Sequence, residues 1–313
     1  MDRIPIIAIV GPTASGKTNL GVCLAKQYNG EIISADSKQF YRGFDIVTAK
    51  PTQEQQRIVK HHLIDFLDIH DSFSVVDYIK IANKTIDDIC ARGKQPFIVG
   101  GSGQYIDALL EGLTFTEQKM DPEKRTALAE QAHKVGNEAM LWRLKKIDPD
   151  YAAKLHPNNI KRIIRALELY ESTGMTMTEQ IKKSREIPSR FIPCYIGINY
   201  RNRAQLYQRI EERIDIMLQK GLLAELQTFY YGDNLDTFLY QSIGIKEFHA
   251  FFQGKKDLQS TIAYVKQQTR RYAKRQLTWL HRNKMIHWIY PDEENLLTIC
   301  EQSALIIEKF QKL

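Results

Sequence analysis

Cysteine is scarce in this chain, with four residues in 313, at 23, 90, 194 and 300, and no C-x-x-C pair. That spacing speaks against a disulfide framework and against a zinc site. It leaves small buried hydrophobes as the expected role of Cys23, Cys90, Cys194 and Cys300. No stretch approaches the roughly twenty uninterrupted apolar residues of a membrane-spanning helix. Internal repeats and low-complexity segments are missing too. The opening Met1-Asp2-Arg3-Ile4-Pro5 runs straight into an apolar segment with no room for a signal peptide, so a cytoplasmic protein is expected. Acidic residues are missing from one long stretch. Positions 261–290 hold seven basic residues (Lys266, Arg270, Arg271, Lys274, Arg275, Arg282, Lys284) and no Asp or Glu, with Tyr264, Tyr272, Trp279 and Trp288 among them.

What is present is ordinary for a globular protein: 43% hydrophobic and 26% charged residues, in a length that suits one large domain or two modest ones. The net charge of +7 hints at a polyanionic partner.

The strongest local signal is Gly11-Pro12-Thr13-Ala14-Ser15-Gly16-Lys17-Thr18, a G-x-x-x-x-G-K-[ST] phosphate loop between an apolar run at 6–10 and a helical pattern at 17–28. Its glycines let backbone N–H groups turn inward on an anion, Lys17 adds a point charge, and the Thr18 hydroxyl suits Mg²⁺. A di- or triphosphate is expected here, and ATP is the usual occupant of such a loop.

Further strands are expected at 31–34 and 96–99. Ser74 reads as the N-cap of a helix through Ala91, with Asp77 three positions on and Gly93 just past the end. A helix at 104–111 follows Gly100-Gly101-Ser102-Gly103. This alternation predicts a parallel sheet with helices on both faces. From Phe115 the pattern changes to helices at 121–133, 138–146 and 158–172 with no strand between them. In the last, Ile160, Ile163, Ile164, Leu167 and Tyr170 share a face, Asn158 or Asn159 caps it and Gly174 stops it. A strand at 191–199 returns to the sheet. Helices at 203–220, from Leu222 and at 258–281, a strand at 285–289 and a last helix complete the chain. The expected organisation is an α/β core (1–119 and 188–313) with an inserted helical lobe (120–187).

Asp36, just past the second strand, lies at the sheet edge where ligands bind. A general base, a metal ligand and a cap for Gln39 are equally open roles. Gly100-Gly101-Ser102-Gly103 is either a tight turn using φ > 0 or a close approach to a ligand that Ser102 could reach. The adjacent His61 and His62 suit hydrogen bonding better than chelation of one ion. Arg209 and Arg213 stand one turn apart, on either a solvated face with Glu partners or a diphosphate-facing one. The acid-free helix, with its aromatics, points to RNA or DNA.

GPTASGKT (11–18), ISADSKQ (33–39), DIVTAKP (45–51), HHLID (61–65), VGGSGQYI (99–106), HPNN…RIIRALELY (156–170), LYQRIEERIDIML (206–218), IGIKEF (243–248) and KRQLTWLH (274–281) stand in order along the chain. Together they resemble the bacterial tRNA dimethylallyltransferases essentially end to end. The resemblance implies a P-loop nucleoside-triphosphate-hydrolase-like core, shared with nucleotide kinases. It implies transfer of a dimethylallyl group from dimethylallyl diphosphate to N6 of the adenosine 3′ of a tRNA anticodon, with Mg²⁺ as cofactor and a monomer on the anticodon stem-loop. Thr13 to Thr18 would hold the prenyl diphosphate, Asp36 would be the base and Arg213 would steady the diphosphate. Implied tRNA contacts are Asp36-Ser37-Lys38-Gln39, Ser102, Arg125, Lys161-Arg162-Ile163-Ile164-Arg165, Gln241-Ser242-Ile243-Gly244-Ile245-Lys246 and Lys274-Arg275-Gln276-Leu277-Thr278-Trp279-Leu280-His281. The family carries Thr where Ser102 stands, an apolar residue at Gln104 and an aromatic at Ile245, and the C-terminal zinc finger of eukaryotic members is lacking. The alternatives are an adenylate isopentenyltransferase acting on free AMP, ADP or ATP, a P-loop nucleotide kinase, and an RNA-binding module with an inactive loop.

Overall fold

Ile6 to Val10 are aliphatic without interruption, the pattern of a strand buried on both faces. They form most of β1 (Ile4–Val10), at the centre of a six-stranded parallel sheet. The computed structural model describes residues 3–113, 122–232, 237, 239–292 and 294–312. The expected lobe boundary at 119/120 and the expected helix start at 121 lie outside them. The chain divides into two compact units, Met1–Leu110 with Arg190–Leu313, and Glu111–Ser189.

In chain order, the larger unit begins with β1, α1 (Lys17–Gln27), β2 (Gly30–Ala35), α2 (Gln53–Ile58), β3 (His61–His62), α3 (Val75–Ala91), β4 (Gln95–Gly100) and α4 (Gly103–Leu110). The Ser74 hydroxyl accepts from Asp77 N–H while the Asp77 carboxylate accepts from Ser74 N–H, the reciprocal cap expected for α3. Thr52 and Gln55 cap α2 in the same way. The smaller unit contains α5 (Pro122–Val135), α6 (Asn137–Ile147), α7 (Pro149–Ala152), α8 (Ile160–Thr173) and α9 (Met177–Lys183) around Leu128, Met140, Leu144, Ile163 and Leu167. Gly174 ends α8 in the left-handed region, φ +69°. The larger unit resumes with β5 (Phe191–Ile198), α10 (Arg203–Gln219), α11 (Leu222–Tyr231), α12 (His249–Phe252), α13 (Leu258–Leu280), β6 (His287–Ile289) and α14 (Leu296–Gln311).

Helices pack against the sheet, whose order is β3-β2-β4-β1-β5-β6. Register brings Val10 opposite Gly100 and Gly197, and Ala35 opposite Gly100. The C-terminal ends of β1, β2, β4 and β5 are therefore level, and the segments that follow them share one edge. No helix among the described residues is long and apolar enough to cross a membrane.

Two sequence expectations are corrected. Cys23 on α1 and Cys300 on α14 form a disulfide, while Cys194 is buried and Cys90 half-buried. The pair is 277 residues apart, so no local spacing could reveal it. The short α2, β3, α7, α9 and α12 were also unforeseen, being too brief for periodicity to register.

At the opposite end of β2, Glu31 is only 2% exposed and accepts from Arg92 at 2.6 and 2.7 Å and from Lys94 at 2.7 Å; His62 Nε2 lies 2.7 Å away. The Arg92 hydrogen bonds, aided by those from Lys94 and His62, hold its carboxyl far below the usual range against the opposing effect of burial. A carboxylate shifted down contributes stability above its ordinary value of 4.5, and that contribution is lost as pH falls below it. Arg92 and Lys94 are each 36% exposed and can rehydrate, so Glu31→Gln is expected to cost about 1–3 kcal/mol at pH 7. Urea titrations should show the difference from the parent chain shrinking as pH drops below 4.5.

Candidate active site

The loop from Gly11 to Thr18 leaves β1 at the shared edge and winds into α1. Gly16 has φ +98°, a left-handed conformation that favours glycine. Gly11 is required by crowding, because a Cβ there would lie 2.8 Å from Ile198 O. Thr13, Ala14, Lys17 and Thr18 line a cleft of about 400 Å³, and Lys17 Nζ folds back to donate to Pro12 O at 2.6 Å. Burial, and then the Arg213 cation, lower Lys17 to about 7, against the opposing effect of Asp36.

Asp36 follows β2 into the same cleft. Its Oδ1 accepts from Lys38 N–H at 3.0 Å, so the side chain caps Lys38, while the Gln39 N–H goes to the Asp36 carbonyl oxygen. Ser37 and Lys38 also line the cleft, and burial brings Lys38 to about 7 although Asp36 pulls it up. Gln39 lines the cleft too and secures the chain: it accepts from Ser34 Oγ at 3.0 Å and donates to Ala49 O at 3.2 Å. Three consecutive N–H groups, of Asp45, Ile46 and Val47, converge on the Glu225 carboxylate at 2.8–2.9 Å and fix the loop beside it.

Arg213 reaches the cleft from α10, and burial depresses its pKa against the pull of Asp36. Arg209, itself exposed, donates to Ala14 O at 3.2 Å, so both arginines reach toward the phosphate loop. Ile210, Ile214 and Met217 of the same helix give the cleft an apolar wall, joined by Val265.

The acid-free helix is α13, and its spacing carries more than charge. Val265, Thr269, Tyr272 and Gln276 recur every three or four residues and all line the cleft. This face was legible in the sequence but was obscured by the basic residues around it. Burial and Asp36 raise the Tyr272 phenol. Gln276 accepts from Thr13 N–H at 2.9 Å and donates to Gly101 O at 3.0 Å. Trp279 Nε1 donates to Asp107 at 2.6 Å. Gly100, Gly101 and Gly103 are not in the left-handed region, which overturns the φ > 0 reading of that turn. They are glycines because a Cβ would strike Ala35 O at 2.3 Å, Gln276 Nε2 at 2.4 Å and Trp279 Cδ1 at 2.2 Å.

The remaining sequence candidates separate by burial. Gln241, Ser242, Ile243, Gly244 and Lys246 line the cleft, whereas Ile245 is fully buried in the core and Ser102, between Gly101 and the start of α4, is not among the lining residues. Leu277 and Leu280 are also core, and Ile163 and Ile164 belong to the core of the smaller unit. These side chains can shape a binding surface without touching a ligand. Lys161 and Arg162 are exposed, but Arg125 and Arg165 hold Glu168, which is 1% exposed. On α13, Lys266 pairs with Asp215 and Arg270 with Glu211, so part of its charge is neutralised by α10. Arg275 lines the cleft, and Lys274, Thr278 and His281 are exposed.

The sequence profile of the IPP transferase family matches residues 39–283. A tRNA dimethylallyltransferase of Bacillus pumilus is 47% identical over 90% of this chain and 87% of its own length, and that of Bacillus subtilis is 45% identical over 91% and 90%. Among solved structures, a tRNA isopentenylpyrophosphate transferase of Bacillus halodurans is similar with TM-score 0.73 and 39% identity, covering 98% of each chain. A eukaryotic dimethylallyltransferase acting on tRNA gives TM-score 0.82 at 29% identity, covering 96% of this chain and 78% of its own.

Gln276→Leu keeps the side-chain volume and leaves Thr13 N–H and Gly101 O unpaired. Inorganic diphosphate should then bind about tenfold more weakly by calorimetry, with a lowered melting temperature. Unchanged diphosphate affinity would show that the loop holds its shape without this clamp.

Proposed function

The chain belongs to the IPP transferase family, and from that premise we propose that it transfers a dimethylallyl group from dimethylallyl diphosphate to N6 of the adenosine 3′-adjacent to a tRNA anticodon. The observation that carries this reading is one cleft that holds the phosphate loop, Asp36 and Arg213 together, beside an apolar wall. The likeness to relatives named for tRNA supports it over free-nucleotide prenylation and over a nucleotide kinase. The protein works in the cytoplasm as a monomer on the anticodon stem-loop.

An adenine amino group is a poor nucleophile because its lone pair is delocalised into the ring. Reaction therefore depends on loosening the allylic C–O bond and stabilising the departing diphosphate. The loop N–H groups, Lys17 and Arg213 are positioned for that charge. The apolar wall receives the hydrocarbon and excludes water from the allylic cation. As the C–N bond forms, the N6 proton becomes acidic and passes to Asp36, whose Oδ1 is held by Lys38 N–H so that Oδ2 can accept it. The Thr18 hydroxyl, a hard oxygen donor facing the cleft, fits Mg²⁺, which uses few protein oxygens beside substrate phosphates and water. Thr18 would hold the ion, which when bound spreads the charge of the diphosphate.

Labelled dimethylallyl diphosphate offered with tRNA or with AMP tests the reading. Label should enter tRNA; label entering AMP alone would sink the tRNA assignment, and ATP turnover without prenyl transfer would indicate a kinase. Asp36→Ala should lower kcat about 10²–10⁴-fold with tRNA affinity nearly unchanged. A loss confined to tRNA binding would make Asp36 a recognition residue instead.

A further inference from the structure

A second cavity, of about 490 Å³, opens between the start of α10 and the last turns of α13. Asn199 and Tyr290, the residues that follow β5 and β6, line it at the ligand-binding edge of the sheet. Arg201 and Arg203 enter from the α10 side, and Lys274, Thr278 and His281 from one face of α13. Tyr200, Tyr207 and Tyr290 supply aromatic surface, and the Arg201 guanidinium lies 4.9 Å from the Tyr290 ring centre.

Two features distinguish this cavity from a solvated basic surface. No Asp or Glu among the described residues lines it, and neither Arg201, Arg203 nor Lys274 is in an ion pair with a described residue. The neighbouring carboxylate, Asp292, accepts from the backbone N–H groups of Arg201 and Asn202 at 2.9 and 2.8 Å. Cations left without carboxylates, set among aromatic rings, are the chemistry of single-stranded nucleic acid. The volume suits a ligand of nucleotide size.

The position also fits. On α13, Arg275 and Gln276 face the reaction cleft while Lys274, Thr278 and His281 face the second cavity. The two sites are separated by about one helix diameter, roughly 10 Å, which about three nucleotides span at roughly 3.4 Å each. Tyr200, in the second cavity, also reaches Ser15 O of the phosphate loop with its hydroxyl.

We propose that this cavity holds a nucleotide of the RNA strand flanking the reacting adenosine, its phosphate on Arg201, Arg203 and Lys274 and its base against the tyrosine surface. The proposal rests on the reading of the chain as a tRNA-modifying prenyltransferase. Arg203→Glu and Tyr290→Ala test it in the full-length enzyme, with the KM for tRNA and the KM for dimethylallyl diphosphate measured separately. Tyr290→Ala should raise the tRNA KM about 5- to 100-fold, and Arg203→Glu should flatten the salt dependence of tRNA binding by about 0.7 in log–log slope. The KM for dimethylallyl diphosphate and the melting temperature should stay as in the parent enzyme. An unchanged tRNA KM and salt slope in both variants, with normal parental turnover, overturns the cavity assignment alone. ATP binding that is lost in Arg203→Glu while the tRNA KM is unaffected makes the cavity an effector site, and also overturns it. A parent enzyme unable to prenylate tRNA overturns both readings.

Discussion

One carboxamide sets the geometry of the reaction cleft. Gln276 is 8% exposed and has two backbone partners, Thr13 N–H of the phosphate loop and Gly101 O at the end of β4. Each buried backbone group left unpaired would cost about 1–3 kcal/mol, so sliding or rotating α13 by one residue would leave both unmet. Trp279, three residues on, is fastened to Asp107 over Gly103, which resists the same displacement. With α13 fixed at two successive turns, the Tyr272 and Arg275 side chains are carried to the cleft wall. The glycines at 101 and 103 follow from this docking, since any side chain would push the helix away from the loop.

That dependence explains what could be read from sequence. The phosphate loop, the Ser74–Asp77 cap and the Gly174 stop are contiguous, and their physics is local, so the pattern alone identifies them. The parallel sheet was legible because β1, β4 and β5 are continuous apolar runs. Pairings between distant residues were not legible. The Cys23–Cys300 bond, the Glu225 carboxylate beneath the 45–47 N–H groups and the Gln276 clamp each join residues more than 170 positions apart. The φ > 0 reading of Gly100-Gly101-Ser102-Gly103 fails for the same reason: the atoms that forbid a Cβ at its glycines belong to β2 and α13. Among the residues the family resemblance implied, burial separates those that face a ligand from those that only support neighbours, and burial is a property of the fold.

Charge on α13 is similarly divided. Lys266 and Arg270 meet Asp215 and Glu211 of α10, so part of the acid-free stretch is neutralised by a neighbouring helix. Lys274 and Arg275 have no such partners among the described residues, and they face the two cavities. The basic stretch therefore does two jobs along its length, holding α10 first and meeting an anionic ligand afterwards.

The identity of that ligand in the reaction cleft follows from what α10 presents beside Arg213. Lys17, Lys38, Arg213 and Arg275 share the cleft with Asp36, and burial disfavours the charged forms of the first three, a cost that an anion in the cleft offsets. A diphosphate would do so, and so would a nucleoside triphosphate. The two differ in what is attached to the phosphates. Ile210, Ile214 and Met217 stand at i−3, i+1 and i+4 from Arg213, so the turn that delivers the cation also delivers a hydrocarbon surface. A ribose placed there would bury hydroxyls against aliphatic carbon with no hydrogen-bond partner on that wall, at a cost of about 1–3 kcal/mol each. A five-carbon prenyl chain gains from the same surface at about 25 cal/mol per Å². A phosphate grip beside an aliphatic wall thus favours an amphipathic prenyl diphosphate, and makes the phosphates the leaving group.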